Sequence, residues 1–324
     1  MDSLQIIKSP IAEEFEQFKK FFDSSLHSSN PLLNDVLKYI KQGKGKMMRP
    51  ILAMLVAKAY GEVTPTVYHG ALALELLHSA SLIHDDVVDE SDERRGQKSV
   101  NAIYDNKVSV LVGDFILSTA LHHAALTQNP RIVDIISKLG QNLAEGEIIQ
   151  LSNTMSSTFS EDVYYEVIRK KTAILFSSCA AVGACTVSAN EDIIQKVYQF
   201  GDLLGIAFQI RDDIFDYFSD SAIGKPTGND MREGKLTLPA LYVLNKTKDP
   251  SLIDIAQKIR SMVASDAEIS HFIEQIKEKG GIDYAEKVMF EFRDKAVVSL
   301  PEDIPDSFKE SLVAYVNFVV ERKK

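Results

Sequence analysis

Apolar side chains recur every three or four positions along most of this chain, and nowhere does apolar–polar alternation persist long enough to specify a sheet. The pattern predicts helices over residues 10–27, 31–42, 48–60, 65–89, 106–127, 130–152, 160–187, 190–219, 235–246, 250–263, 267–279, 282–298 and 305–322. They are interrupted where Gly and Pro end helices: Pro31, Gly43 to Gly45, Gly61 to Pro65, Gly96, Asn129-Pro130, Gly224 to Gly228, Pro250, Gly280-Gly281 and Pro301 to Pro305. Segments 65–84, 173–187 and 197–218 are apolar on nearly every side, which suits the middle of a bundle rather than its surface. The expected fold is all-α, a large helical bundle with amphipathic helices around these three. A length of 324 residues would allow two domains. No Pro/Ser/Gly-rich linker, low-complexity tract or block of like charge divides the chain, so residues 1–324 are expected to form a single domain.

Charge narrows the function classes. A formal net charge of -10 argues against a nucleic-acid partner, which would call for a basic face. The Lys and Arg residues sit instead in short clusters beside glycines, a pattern suited to a small anion. The first residues, Met1-Asp2-Ser3-Leu4, lack the basic and apolar regions of a signal peptide, and no apolar run looks long enough to cross a bilayer. No stable membrane anchor is expected, and the expected location is cytoplasmic. The two cysteines, Cys179 and Cys185, lie in an apolar run and are expected to be buried thiols.

Two copies of one acidic pentapeptide carry the chemistry: Asp85-Asp86-Val87-Val88-Asp89 and Asp212-Asp213-Ile214-Phe215-Asp216. Each ends a long apolar helix. Helical spacing puts the first and last Asp on one face and the middle one to the side. Three carboxylates on one turn repel each other, and the helix C-terminus disfavours anions. Something doubly positive must bind there to offset this. Oxygen-only donors favour a hard cation, Mg²⁺ before Zn²⁺, and Mg²⁺ held by carboxylates bridges to substrate phosphates. One such motif alone is as readily a solvated helix end. Two copies in like context, followed by Arg94-Arg95-Gly96 and Gly224-Lys225-Pro226, are not.

Further cations extend the picture. Guanidinium forks at Arg94 and Arg95 suit phosphate oxygens. The Gly43 to Gly45 loop, with Lys46 and Arg49 at a helix start, makes a second anion site, with His78 as a further candidate. Lys171 interrupts an apolar helix and is expected to face a cavity, with Lys170 as its solvated neighbour. Gln209 stands one turn before Asp212, and Lys225 and Lys235 follow the second motif. These residues predict six carboxylates holding Mg²⁺ and one diphosphate, with Arg94, Lys171, Lys225 and Lys235 around it. Apolar walls beneath would keep water from a reactive carbon.

On these motifs the chain resembles the trans-isoprenyl diphosphate synthases, or polyprenyl synthetases. The likeness runs from about Leu33 to the C-terminus. It rests on Gly45-Lys46 with Arg49-Pro50, on His84-Asp85-Asp86 with Asp89 and Arg94-Arg95-Gly96, on Lys171-Thr172, on Phe208-Gln209 with Asp212-Asp213 and Asp216, and on Gly234-Lys235 with Thr237-Leu238-Pro239. The resemblance implies a helical bundle of the isoprenoid synthase type with a central apolar cavity, and a homodimer. It implies Mg²⁺-dependent, sequential head-to-tail addition of isopentenyl diphosphate to an allylic diphosphate. The allylic substrate ionises, the isopentenyl double bond attacks C1, and the released diphosphate removes the proton. Carried over residue by residue, Asp85, Asp86, Asp89, Asp212, Asp213 and Asp216 would hold Mg²⁺. Arg94, Lys171, Thr172, Gln209, Lys225 and Lys235 would contact the allylic diphosphate. Lys46, Arg49, His78 and Arg95 would bind isopentenyl diphosphate. Lys44 is a less usual residue for its position in the family.

Product length is read from the helix before the first motif. Ala80 and Ser81, with Leu77 a turn deeper, are too small to floor a tunnel early, and the first motif has no two-residue insertion. A long product is expected, in the hexaprenyl to decaprenyl range with octaprenyl as the size chosen within it, and farnesyl diphosphate as starter. Leu74 and Phe115 are candidates for a deep floor. The alternatives are a geranylgeranyl or farnesyl diphosphate synthase, a terpene cyclase, which would lack the isopentenyl site, and a non-catalytic subunit of a heteromeric synthase, which would have lost an Asp motif.

Overall fold

The structure, a computed structural model, describes residues 3–43, 45–94, 96–154, 158–218 and 227–321. In chain order the helices are α1 (Ser3–Lys8), α2 (Ala12–Ser25), α3 (Pro31–Gln42), α4 (Met48–Tyr60), α5 (Pro65–Val88), α6 (Val100–Ile103), α7 (Asn106–Leu126) and α8 (Pro130–Thr154). There follow α9 (Glu161–Ile168), α10 (Ile174–Thr186), α11 (Glu191–Phe215), α12 (Asn229–Arg232), α13 (Leu238–Thr247), α14 (Pro250–Arg260), α15 (Asp266–Glu278), α16 (Gly281–Ser299) and α17 (Asp306–Glu321). A 3₁₀ turn, Ser9–Ile11, joins α1 to α2, and a π turn, Arg169–Ala173, joins α9 to α10. The strands among the described residues are the two-residue β1 (Glu93–Arg94) and β2 (Gln97–Lys98), paired antiparallel with Arg94 opposite Gln97. The all-α expectation is met. Periodicity did not anticipate the hairpin, the short helices α1, α6 and α12, or the π turn.

The chain forms two compact units interleaved in sequence. The first comprises residues 1–140, 175–199 and 300–315. Its interior includes α10, within a segment that read as apolar all round, which buries every residue from Leu175 to Cys185, and also α4, which was not among those segments and buries Pro50 through Ala57. Both cysteines are buried free thiols, and burial pushes their pKa values up. The second unit comprises residues 141–174, 200–299 and 316–324. There α13 packs on α16, with Tyr242 and Tyr284 stacked at 4.0 Å. A capping box starts α15: Ser265 Oγ accepts from the Glu268 N–H, and Glu268 returns the bond to the Ser265 N–H.

Among the described residues one helix, α7, is long and apolar enough to cross a membrane by length and composition, which departs from the sequence expectation. It packs along α5 in the first unit. Its pairing there includes His69 Nδ1 and His123 Nδ1 at 2.8 Å, with Phe21 of α2 edge-on to both rings. One nitrogen must donate and the other accept, so the pair is suited to neutral rings. Burial, with His69 and His122 adding to it, pushes His123 down to about 4. A folded pKa below the unfolded value means that the unfolded chain takes up the proton first. Stability is therefore full at neutral pH and falls as pH drops from about 6.5 towards 4. Urea unfolding is expected to show a loss of about 2 kcal/mol between pH 7 and pH 5 from this group. The His123→Gln variant should lose markedly less over the same interval, and equal losses would refute the assignment.

Candidate active site

The first acidic motif lies in the first unit at the end of α5. Asp89 caps the helix, its N–H donating to the Asp85 carbonyl at 2.8 Å. Burial separates the three carboxylates in a way that spacing did not foresee. Asp86, the middle one, is 4% exposed, whereas Asp85 is half-buried and Asp89 is exposed. Beyond the cap the chain folds back. Ser91 N–H donates to the Asp86 carbonyl at 2.9 Å, and Asn101 Nδ2 donates to the carbonyls of Asp86 and Ser91. The hairpin then presents Arg94, whose Nε donates to Asp86 Oδ1 at 2.6 Å. Burial raises the Asp86 pKa, and the Arg94 guanidinium offsets part of that.

A cavity of about 520 Å³ opens beside this pair, within the size range of small-molecule sites. Tyr39, Lys41, Gly43, Gly45, Met47, Glu75, Ser79, Asp86, Arg94 and Gln97 are among its lining residues. Of the predicted second anion site, the flanking Gly45 and Met47 line this cavity, while Lys46, Arg49 and His78 do not. Lys46 is exposed and His78 is half-buried. Arg49, in the first turn of α4, keeps Nε buried without a hydrogen-bond partner among the described residues. Arg95 and Lys44 lie outside the described residues. Deeper on α5, Ala80 and Leu77 are buried, and half-buried Ser81 donates Oγ to the His78 carbonyl at 2.9 Å.

The second motif lies in the second unit at the end of α11, and its middle carboxylate is again the buried one. Asp213 is 3% exposed. Tyr164 Oη donates to its Oδ2 at 2.5 Å, and Gln209 Nε2 donates to its Oδ1 at 2.8 Å. Thr172 Oγ1 in turn donates to Gln209 Oε1 at 2.6 Å, which ties the π turn to the motif. Burial pushes the Asp213 pKa up to about 7; Asp212 and Asp216 add to the rise, and the two donors oppose it. Asp216 is committed to backbone. Its two oxygens accept the N–H groups of Asn229 and Asp230 at 3.0 and 3.1 Å, which fixes the turn into α12. Asp230 is thereby held near Asp213, and burial together with Asp216 and Asp213 pushes its pKa well up.

Asp213 and Asp230 line a smaller cavity, about 190 Å³, with Gln150, Tyr164, Lys171, Thr172, Gln209, Lys235 and Arg260. Lys171 forms an ion pair with Glu147 and donates to Gln150 Oε1 at 3.1 Å. Lys170, expected in water, is half-buried and paired with Glu145 at 2.6 Å, where the π turn lays it against α8. Lys235 Nζ meets Glu233 at 2.5 Å. Arg260 is 6% exposed, donates Nη1 to the Thr158 carbonyl at 2.7 Å and stacks on Phe159. Lys225 lies outside the described residues.

Tyr164, Glu147, Gln150, Asp230 and Arg260 were missed from the sequence. Glu147 and Gln150 did carry a signal, two polar residues one turn apart flanking Ile148-Ile149. Tyr164 carried none. Among the described residues no three His, Cys, Asp or Glu side chains converge into a ready-made metal cage. That donor set still fits Mg²⁺, which takes one or two carboxylates and completes its octahedron with water and phosphate oxygens.

Comparison with known proteins bears directly on this arrangement. Residues 30–276 match the polyprenyl synthetase family. The chain is 35% identical to the octaprenyl diphosphate synthase of Haemophilus influenzae, over 99% of this chain and 97% of that protein. A crystal structure of a geranylgeranyl pyrophosphate synthase from Bacteroides thetaiotaomicron superposes with a TM-score of 0.87 at 47% identity, covering 99% of this chain and 100% of that one. A decaprenyl diphosphate synthase from Rhodobacter capsulatus gives a TM-score of 0.91 at 34% identity, covering 98% of each. With the family matched over most of its length and two acidic motifs set beside anion-sized cavities, the chain belongs to the polyprenyl synthetase family, as an all-α trans-prenyltransferase.

Proposed function

We propose that this enzyme extends an allylic diphosphate, farnesyl diphosphate as starter, by repeated head-to-tail addition of isopentenyl diphosphate in trans, to an octaprenyl-sized product. The observation that carries this reading is the pinning of Asp86 by Arg94 and of Asp213 by Tyr164 and Gln209, each a buried carboxylate beside cavity cations. Asp85, Asp86, Asp89, Asp212 and Asp213 are the donors for Mg²⁺. Asp216, with both oxygens already accepting backbone N–H groups, has only its remaining lone pairs for a cation. Bound there, Mg²⁺ supplies Lewis-acid stabilisation of the diphosphate leaving group.

The chain's own groups do the rest. Lys171, Thr172, Gln209 and Lys235 orient the allylic diphosphate, with Arg94 acting from the first motif. Glu147 holds the Lys171 ammonium in place until an anion replaces it. Lys225 joins this set, and Lys46, Arg49, His78 and Arg95 take isopentenyl diphosphate, on the resemblance of their motifs. The residues act as one domain over 1–324 in a cytoplasmic enzyme. We assign α7 to a homodimer contact rather than to a membrane, because Val110, Leu111, Leu121 and Leu126 leave an apolar side of a core-packed helix exposed.

Small Ala80 and Ser81 and the 35% identical octaprenyl diphosphate synthase favour a long product. The 47% identical geranylgeranyl pyrophosphate synthase favours a second reading, a product of that shorter length. The deciding experiment incubates the purified chain with Mg²⁺, farnesyl diphosphate and isopentenyl diphosphate, then chromatographs the dephosphorylated products. Chains far longer than geranylgeranyl support the first reading. Geranylgeranyl alone supports the second, and no extension at all would point to a partner-dependent subunit.

A further inference from the structure

The path from α9 through the π turn to α10 is continuous, and at the turn the Ile174 N–H reaches back to the Arg169 carbonyl, five residues away. A wide turn occupies more room than an α-helical one, and such turns concentrate at functional sites. Here the room comes from Gly146 on α8. A Cβ at 146 would lie 2.8 Å from Lys171 Cγ, 2.9 Å from Lys170 Cβ and 3.3 Å from the Lys170 carbonyl carbon. These atoms sit at or near the backbone, so no rotation of a side-chain tip relieves the clash. The turn would have to move.

What it would move is the diphosphate-facing set. Glu147, next to Gly146, pairs with Lys171, and Gln150 accepts from the same ammonium at 3.1 Å. Thr172 begins the chain of hydrogen bonds through Gln209 to Asp213. We infer that Gly146 is a positioning residue for the allylic diphosphate: its missing side chain lets the π turn seat against α8, and that seating sets Lys171 and Thr172. The inference rests on the assignment of Lys171 to the allylic diphosphate made above. Gly146 touches no substrate and acts only through the turn.

The test compares wild type, Gly146→Ala and Lys171→Ala, varying farnesyl diphosphate and isopentenyl diphosphate separately at saturating Mg²⁺. Gly146→Ala is expected to raise KM for farnesyl diphosphate about tenfold or more, since sub-ångström displacement of a positioning group is costly. KM for isopentenyl diphosphate should stay within about twofold of wild type. A merely structural glycine would not split the two. If Lys171→Ala raises the allylic KM while Gly146→Ala changes neither KM, or both equally, the inference is overturned and the assignment of Lys171 stands. If Lys171→Ala leaves the allylic KM unchanged, that assignment fails and takes the inference with it. Should Gly146→Ala not fold, the same comparison is made between Lys170→Gly and the Gly146→Ala/Lys170→Gly double variant, which lacks the Cβ at 2.9 Å.

Discussion

Replacing Asp213 by Asn is expected to lower kcat/KM by about a thousandfold or more, the equivalent of about 4 kcal/mol of transition-state stabilisation. Shape is conserved, so what is lost is the charge and one hydrogen-bond acceptor. The effect on stability should run the other way or vanish. A carboxylate 3% exposed, with burial and two neighbouring carboxylates pushing its pKa up to about 7, is an unfavourable group in the absence of a cation. An amide removes that repulsion. It also removes one acceptor, because Tyr164 donates to one oxygen and Gln209 to the other, and an unmet buried donor costs about 1–3 kcal/mol. These two effects are of similar size and opposite sign, so the melting temperature should change little. Asp86→Asn offers the contrast. There the partner is Arg94, an ion pair at 2.6 Å, and breaking it should lower both activity and stability. Steady-state kinetics and thermal melts of the two variants check both statements. An Asp213→Asn enzyme within tenfold of wild type would remove the catalytic role from this motif.

How much of this was visible in the chain depends on what sets each feature. The long helices follow from local periodicity and from Gly and Pro at their ends, and α3, α4 and α8 begin where the sequence said they would. The acidic motifs were legible because three carboxylates on one turn have few other uses. Which Asp in each triplet is buried was not legible, since it depends on what folds over the helix end: the Arg94 hairpin in one case, Tyr164 in the other. The π turn escaped for a related reason. Residues 164, 168 and 172 keep the spacing of an ordinary helix face, and the widening shows only against Gly146, more than twenty positions earlier. Asp216 shows the limit of motif reading. Its spacing marks it as a third ligand, and that spacing gives no sign that each of its oxygens also accepts a backbone N–H at the start of α12.

Replacing Ala80 by Tyr is expected to shorten the dominant product to farnesyl or geranylgeranyl length. Ala80 precedes Asp85 by five residues, about 7.5 Å along the helix axis, a depth that an octaprenyl chain must pass. Ser81, one turn before Asp85, is half-buried, so this side of α5 is not sealed by packing. Ala80 itself is 1% exposed and stands one turn before His84, where α7 approaches so closely that a Cβ on Gly113 would lie 2.2 Å from the imidazole. A small residue at 80 therefore has two physical explanations, room for product and room for α7, and the variant separates them. If the phenol ring enters the product's path, chain length falls and the fold tolerates the added volume. If α7 alone occupies that space, the ring overpacks the helix pair, stability drops by about 1–3 kcal/mol and product length is unchanged. Reversed-phase chromatography of dephosphorylated products, run beside thermal melts of the same preparations, distinguishes the two results. A destabilised enzyme that still makes the wild-type product would assign Ala80 to helix packing and leave the length determinant elsewhere on the chain.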